Sequence, residues 1–302
     1  MNDQATALPA NPVSAEGQRL ALLEKLFNRI GEVSSLPTVA LRILEVVNDE
    51  SAGGGDLLEA IGGDPALAVR ILRTVNSASY GLRHTVTDLK SAISILGFRE
   101  IRNLALTIYV ARSFKEGIGY RTYSREALWN HMVAVATAAK LVANVCGRVA
   151  GDEAYLAGLL HDLGLILIDQ HIHHRFRTVI DGLNLNEIAP TCDVERQVLG
   201  FDHTEIGEFV ARKWRFPTQV TDAIRFHHMP AAYGGEHQAI VYAVSVANYL
   251  VSRSGATSLG VVNVAMPEQV VFAGLSIQNE QLQSICDRLD ASLDAASTIA
   301  GV

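Results

Sequence analysis

The 302-residue chain has few of the features that mark specialised protein classes. It has only three cysteines, Cys146, Cys192 and Cys286, which are far apart, odd in number and never in a Cys-x-x-Cys spacing. That excludes a disulfide framework and a zinc ribbon, and leaves buried free thiols in a reducing compartment as the expectation. Neither GxxxxGKS/T nor GxGxxG occurs, so there is no Gly-rich phosphate loop. No apolar run reaches transmembrane length, and the stretch from Met1 to Gly17 lacks the basic region and apolar core of a secretory signal. A cytoplasmic protein without membrane contact is expected. A basic surplus is missing too: the formal net charge of −7 and a pI near 5.8 argue against a general nucleic-acid or membrane-surface role, while leaving a local basic patch open. β-type patterns are scarce, with Val261-Val262-Asn263-Val264 and Gln269-Val270-Val271 the only β-rich runs. No fixed-period repeat is evident.

What the chain does have is apolar content, 49% of its residues, and helical periodicity. Its length fits one large domain or two modest ones. Residues 1–17, with Pro9, Pro12 and Gly17, read as a disordered leader. Leu20, Leu22, Leu23, Leu26 and Phe27 then form the first helical stripe. Ser35-Leu36-Pro37-Thr38 opens a second helix through Val39, Leu41, Ile43, Leu44, Val46 and Val47, which Gly53-Gly54-Gly55 is expected to end. A short helix over 56–61 follows, and Asp64-Pro65 is an N-cap and N1 pair ahead of Leu67, Ile71 and Val75, with Asn76-Ser77 closing that helix. Two more are expected over 88–96, stopped by Gly97, and over 99–113. Gly117 and Gly119 mark a boundary, beyond which helices are expected near 125–146, 152–160, 165–181, 193–199, 203–213, 217–227, 236–253 and 277–297. The predicted class is all-α.

Five of the ten histidines and one aspartate carry the chemical signal. His131 lies early in a long helix. His161 and Asp162 follow Gly158-Leu159-Leu160. His203 opens one helix, and His227-His228 end another. Neutral imidazoles and a carboxylate suit Fe, Mn, Co, Ni or Zn. Adjacent helical residues point about 100° apart, so the pairs His161-Asp162 and His227-His228 would serve one ion awkwardly and two ions naturally, with Asp162 bridging. Each residue also has a plain structural reading: a hydrogen-bonded core histidine, a helix cap, or a helix end with cations on its dipole. His171, His173 and His174 read as a solvated helix face.

The order of these motifs, His131, then Gly158-Leu-Leu-His-Asp-Leu-Gly164, then His203, then His227-His228, resembles the HD phosphohydrolase superfamily. Ser35-Leu-Pro37, Asp64-Pro-Ala-Leu67, Asn76-Ser77, Ala92-Ile93 with Leu96-Gly97, and Trp214 with Pro217 resemble more narrowly the HDOD family, the HD-related output domain of bacterial signalling proteins. The resemblance spans about residues 30–255. It implies an all-α multi-helix bundle of HD type with an N-terminal helical subdomain over 18–115, a metal-site subdomain over 116–256 and a mostly helical extension over 257–302. It also implies a metal-ligand set of His131, His161, Asp162, His203, His227 and His228, holding one or two ions.

Two positions depart from the catalytic pattern. Asn248 stands where catalytic HD enzymes place a final aspartate, which removes a negative charge from the ligand set. Leu165 stands where cyclic-dinucleotide phosphodiesterases of HD-GYP type carry a phosphate-binding lysine, and leucine cannot donate; Arg175, Arg212 and Arg225 are the candidate substitutes. The first reading is therefore a signal-transduction output protein with a His/Asp metal pocket and no efficient catalysis, its partners other signalling proteins or a small phosphorylated ligand. The second is a metal-dependent phosphohydrolase of nucleotides or cyclic dinucleotides, with Asp162 at the catalytic centre. The third is a purely structural histidine network.

Overall fold

Apolar residues three and four positions apart recur along most of the chain, and in the computed structural model each such stretch among the described residues is a helix. The structure describes residues 26–28, 38–49, 51–77, 80–112, 114, 117, 119–186, 189–262, 264–278 and 280–289. The expected leader, the Leu20–Leu23 stripe and the Ser35-Leu36-Pro37 entry lie outside those residues. Among the described residues there is no strand, only one isolated bridge between Tyr120 and Tyr123. The fold is all-α.

Five helices come first: α1 (Thr38–Asn48), α2 (Gly54–Gly62), α3 (Pro65–Val75), α4 (Leu89–Leu96) and α5 (Phe98–Arg112). The Asp64 carboxylate caps α3 by accepting from Leu67 N at 3.0 Å, with Pro65 at the position where a missing N–H costs nothing. The glycine run does not end a helix as expected. Helix α1 stops at Asn48, and Gly53 is the N-cap of α2. The reason is local: the Asp56 carboxylate accepts from Gly53 N at 2.8 Å, while Leu57, Ala60 and Ile61 bury one face.

The second group comprises α6 (Arg125–Cys146), α7 (Gly151–Leu160), α8 (Leu163–Leu185), α9 (Thr191–Leu199), α10 (His203–Lys213), α11 (Thr218–Phe226) and α12 (Gln238–Arg253). Helix α6 packs on α7 and α12, α8 on α9 and α10, and α11 on α10 and α12. Met132, Val135 and Ala139 of α6, Leu159 and Leu160 of α7, Ile206 and Val210 of α10, and Val244 and Ala247 of α12 are fully buried between them. Each large aliphatic side chain so removed from water contributes about 1.5–3 kcal/mol.

Polar ties join the two groups. Lys140 Nζ sits 2.9 Å from Glu100 Oε2 and 3.0 Å from Asp152 Oδ1, and Asn48 Nδ2 donates to Arg215 O at 2.7 Å.

The β-rich runs do not form strands. Gln269-Val270-Val271 opens α13 (Gln269–Leu275), because Val271 and Leu275, four apart, are both buried and the helix packs on α12. Side-chain burial here overrides the preference of β-branched residues for extended backbone. Residues 280–289 are helical, within the expected 277–297 helix, whose remainder from 290 lies outside the described residues. Of the three thiols, Cys192 alone is buried, while Cys146 and Cys286 are partly exposed. No described helix is long and apolar enough to cross a membrane.

Candidate metal centre

His131 is on the first third of α6, and His161 and Asp162 occupy the two-residue turn between α7 and α8. His203 is the first residue of α10, and His227 is the C-cap of α11. Two glycines let these elements meet. A Cβ on Gly158 would lie 2.9 Å from Ala136 Cα and Val135 O, so the close crossing of α7 on α6 requires glycine there. A Cβ on Gly164 would collide with the His203 carbonyl and come within 3.1 Å of Gly207 N, so the approach of the α8 start to the α10 start requires it again.

The carboxylate of Asp162 is the hub. Oδ2 lies 3.6 Å from His131 Nε2 and 3.3 Å from His161 Nε2, while Oδ1 lies 3.3 Å from His203 Nε2 and 3.5 Å from His227 Nε2. His203 Nε2 and His227 Nε2 are 3.4 Å apart. His228 joins the second half, its ring centroid 4.2 Å from that of His227 and 5.1 Å from that of His203. Ligand atoms of Asp162, His203, His227 and His228 all lie within 4.8 Å of one another, as do those of His131, His161 and Asp162. Two atoms bound at about 2.1 Å to one ion at 90–109° are separated by about 3.0–3.4 Å, close to the 3.3–3.6 Å spacing around Asp162.

The opposite edge of each ring is already taken. Nδ1 of His131 reaches Ala256 O at 2.6 Å, that of His161 reaches Gly158 O at 2.7 Å, and that of His227 reaches Ile224 O at 2.9 Å. A carbonyl can only accept, so these three Nδ1 atoms carry the hydrogen. Burial pushes the His131 and His227 imidazoles down to about 4, so both are neutral near pH 7 and turn a bare Nε2 lone pair toward Asp162. Burial, with His227 and His203 alongside, also holds His228 well below the usual imidazole value. At His131 and His227 a lone pair therefore faces a carboxylate oxygen with no hydrogen between them. His131 Nε2, His161 Nε2 and Asp162 Oδ1 are buried without a hydrogen-bond partner among the described residues. A cation answers all of them at once, so the donor set fits a metal and disfavours the purely structural network.

Residues 33–230 match the family model of the HDOD domain. The chain belongs to the HDOD domain family. This HDOD chain is 26% identical over 302 residues to an uncharacterized protein of Treponema pallidum (strain Nichols), a match covering 96% of this chain and 55% of that protein. It thus spans about half the length of that curated relative. Among solved structures it is similar to an HDOD domain protein of unknown function from Geobacter sulfurreducens, with 26% identity, a TM-score of 0.72, and coverage of 94% of this chain and 96% of that one. It also shares its fold with a protein from Marinobacter aquaeolei VT8 provisionally assigned to signal transduction, at 24% identity and a TM-score of 0.79, over 97% of this chain and 67% of that one.

Asn248 is buried in α12, its Oδ1 accepting from Ser252 Oγ at 3.3 Å. Leu165 is buried in the core. Two of the candidate phosphate-binding arginines are occupied: Arg225 donates to Thr204 Oγ1 at 2.7 Å and faces Glu208, and Arg212 pairs with Glu208 at 2.9 Å.

The solvated-face reading of the triple-histidine stretch is only partly right. His174 is exposed, but His171 is buried and His173 Nδ1 donates to Asp169 at 2.6 Å. Asp169 also receives Tyr123 Oη at 2.9 Å and Arg125 Nε at 2.6 Å, so this second buried carboxylate is fully answered and ties α8 to the start of α6.

One participant was not anticipated from sequence. Glu195, on α9 and fully buried, accepts His203 N at 3.0 Å and His203 Nδ1 at 2.7 Å through the same Oε2. Burial alone would strip charge from His203, but the carboxylates of Glu195 and Asp162 on its two ring nitrogens overcome it and hold its pKa well above the usual imidazole value. Burial likewise opposes ionisation of Asp162, and the rings of His161, His203 and His227 reverse that, holding it well below the carboxylate range. Next to Glu195, Arg196 sits 2.6 Å from Asp202, the N-cap of α10, whose carboxylate accepts from Thr204 N and Glu205 N. The end of α9 thereby grips the start of α10 at two successive residues.

Proposed function

We propose that this HDOD protein is a regulatory output module whose His/Asp pocket holds one or two divalent or iron-type ions as an internal brace, without efficient turnover. The observation that carries this reading is the closure of the pocket: His131, His161, Asp162, His203 and His227 are each at most 2% exposed, and only His228 reaches the surface in part. Catalytic metal sites keep an open position for water or substrate, whereas bracing sites are shut. Leu165 and Asn248 agree with it, since the first offers no donor to a phosphate and the second no charge to an ion.

A regulatory role requires a surface that others read. Helix α5 packs on α7, and α12 packs on α6 and α7, so loading the pocket stiffens surfaces that a signalling partner or a small phosphorylated ligand would meet. The residues do this by binding and orienting: four backbone-or-carboxylate tethers aim four rings at one carboxylate.

A second reading, a metal-dependent phosphohydrolase, is favoured by one feature, the division of Asp162 into two oxygens each facing two imidazoles. When bound in such a pair, metal ions supply Lewis acidity and a water of lowered pKa.

Elemental analysis of protein expressed in Mn- and Fe-supplemented medium tests both. We expect one or two ions per chain, lost in Asp162→Ala, and no phosphodiester hydrolysis. Metal-free protein would overturn the pocket's assignment; hydrolysis abolished by Asp162→Ala would install the second reading.

A further inference from the structure

Four histidine rings in the pocket are tethered through Nδ1, and their tethers differ in kind. His131, His161 and His227 are held by the neutral carbonyls of Ala256, Gly158 and Ile224. His203 alone is held by a carboxylate, at 2.7 Å, and the same Glu195 oxygen also fixes its main-chain N–H at 3.0 Å. That carboxylate is 0% exposed, and the nearby guanidinium of Arg196 is engaged by Asp202 instead. Its second oxygen, Oε1, has no hydrogen-bond partner among the described residues. A buried carboxylate without a cation is costly, so the positive charge that answers Glu195 has to arrive through His203. An imidazole hydrogen-bonded to a carboxylate is a more basic ligand than one bonded to a neutral carbonyl.

We infer that Glu195 is a positioning residue that makes the pocket unequal, so that the half built from Asp162 Oδ1, His203, His227 and His228 binds its ion more tightly than the half built from Asp162 Oδ2, His131 and His161. The inference rests on the metal reading above and deepens it. The His203 half has three imidazoles against two, and it alone receives a second buried negative charge. That charge stands in for the one missing at Asn248, but it acts from behind a ligand. One ion is therefore resident and the other exchangeable. The exchangeable half is the one that depends on the Ala256 carbonyl.

The test is a Co(II) titration of the full chain after removal of bound metal by a chelator, read by the d–d absorption of the cobalt and by calorimetry. Wild type should bind one ion tightly, with any second at least tenfold weaker. Glu195→Gln keeps an acceptor for both His203 donors and removes the charge, and should weaken the tight step about 10–100-fold while shifting its absorption spectrum and changing any weak step less than threefold. His131→Ala should preserve the tight step, and His228→Ala should weaken it. Two steps of equal affinity in wild type, or an unchanged affinity and spectrum in Glu195→Gln, overturn the inference and leave the metal reading standing. The reverse ranking of His131→Ala and His228→Ala also overturns it. Failure of wild type to take up cobalt at all sinks the metal reading itself.

Discussion

His161 and His227 meet edge to face, ring centroids 4.8 Å apart at 87°, and each is anchored by the same device. Each is the C-cap of its helix, and each donates Nδ1 to the carbonyl three residues earlier, Gly158 O or Ile224 O. The hydrogen bond that finishes the helix is thus also the one that aims Nε2 at Asp162. Two plain structural roles, helix capping for both histidine-bearing turns, and the ligand role are the same interaction seen from opposite edges of one ring.

Metal-free protein should lose stability as pH falls from about 6.5 to about 4. His131 and His227 have ordinary values of 6.5 in the unfolded chain and about 4 in the fold. Over that window the unfolded chain binds protons that the fold refuses, so acid favours unfolding, by on the order of 3 kcal/mol for each ring. His203 runs the other way: its raised value contributes stability that is fully present below 6.5 and is lost only as pH climbs above it. Asp162, held low, contributes stability above its ordinary 3.8 that is lost only at still lower pH. Neither offsets the loss inside the window. Urea midpoints of chelated protein at pH 7 and pH 5 check this; equal midpoints would contradict it.

Gly164→Ala should disrupt the pocket from outside the ligand set. The added methyl collides with the His203 carbonyl, a backbone atom that cannot swing aside, and the overpacking should cost about 1–3 kcal/mol or more. Metal content should fall with it, since Asp162 and His203 are pushed apart. Gly55→Ala, where a Cβ meets nothing within 4 Å, should leave both stability and metal content intact. Thermal melts and elemental analysis of the two variants separate a specific collision from a general effect of losing glycine.

Asn248→Asp should make stability more dependent on metal. A further carboxylate in buried α12 lowers metal-free stability by on the order of 1–3 kcal/mol, and added metal should recover that loss and exceed it. The difference in melting temperature with and without Mn(II) or Co(II) should therefore be larger than in wild type. An equal difference would mean that residue 248 does not face the pocket.

Arg125→Ala should be costly without touching the metal. It strips the guanidinium from Asp169, which is 1% exposed, and leaves a buried carboxylate with Tyr123 and His173 alone. A loss of about 3–5 kcal/mol is expected, and Asp169→Asn in the same chain should recover part of it. A double-mutant cycle by urea unfolding, with metal content measured alongside, checks both claims.

Most of the fold was legible because helical periodicity is a local signal. The expected 125–146 and 203–213 helices coincide with Arg125–Cys146 and His203–Lys213, and the Asp64 cap announced its helix through residue type alone. The β-rich run at Gln269 is helical because its valines are placed by what α12 offers them to pack against, which no local pattern contains. In the site, His161-Asp162 and His227-His228 were legible as adjacent pairs at helix ends. Glu195 was not: it sits among Asp193, Arg196 and Gln197 on a short helix, where an acidic residue reads as solvated, and its burial depends on α9 lying against α8. Its one local clue is that Val194 and Leu199 flank it on the buried side. Asp169 escaped for the same reason, one acid in an apolar run whose three donors come from two separate segments.

The Ala256 carbonyl that fixes His131 lies beyond residue 230, where the match to the family model ends. Residues 254–260 hold that position because Thr122 Oγ1 clasps Leu259 O at 2.9 Å, next to the start of α6. The boundary of the inherited module and the boundary of the working pocket are therefore different. A fragment cut at the edge of recognisable similarity would lose both the carbonyl that orients His131 and α12, the helix that packs on α6, α7 and α11 around the pocket.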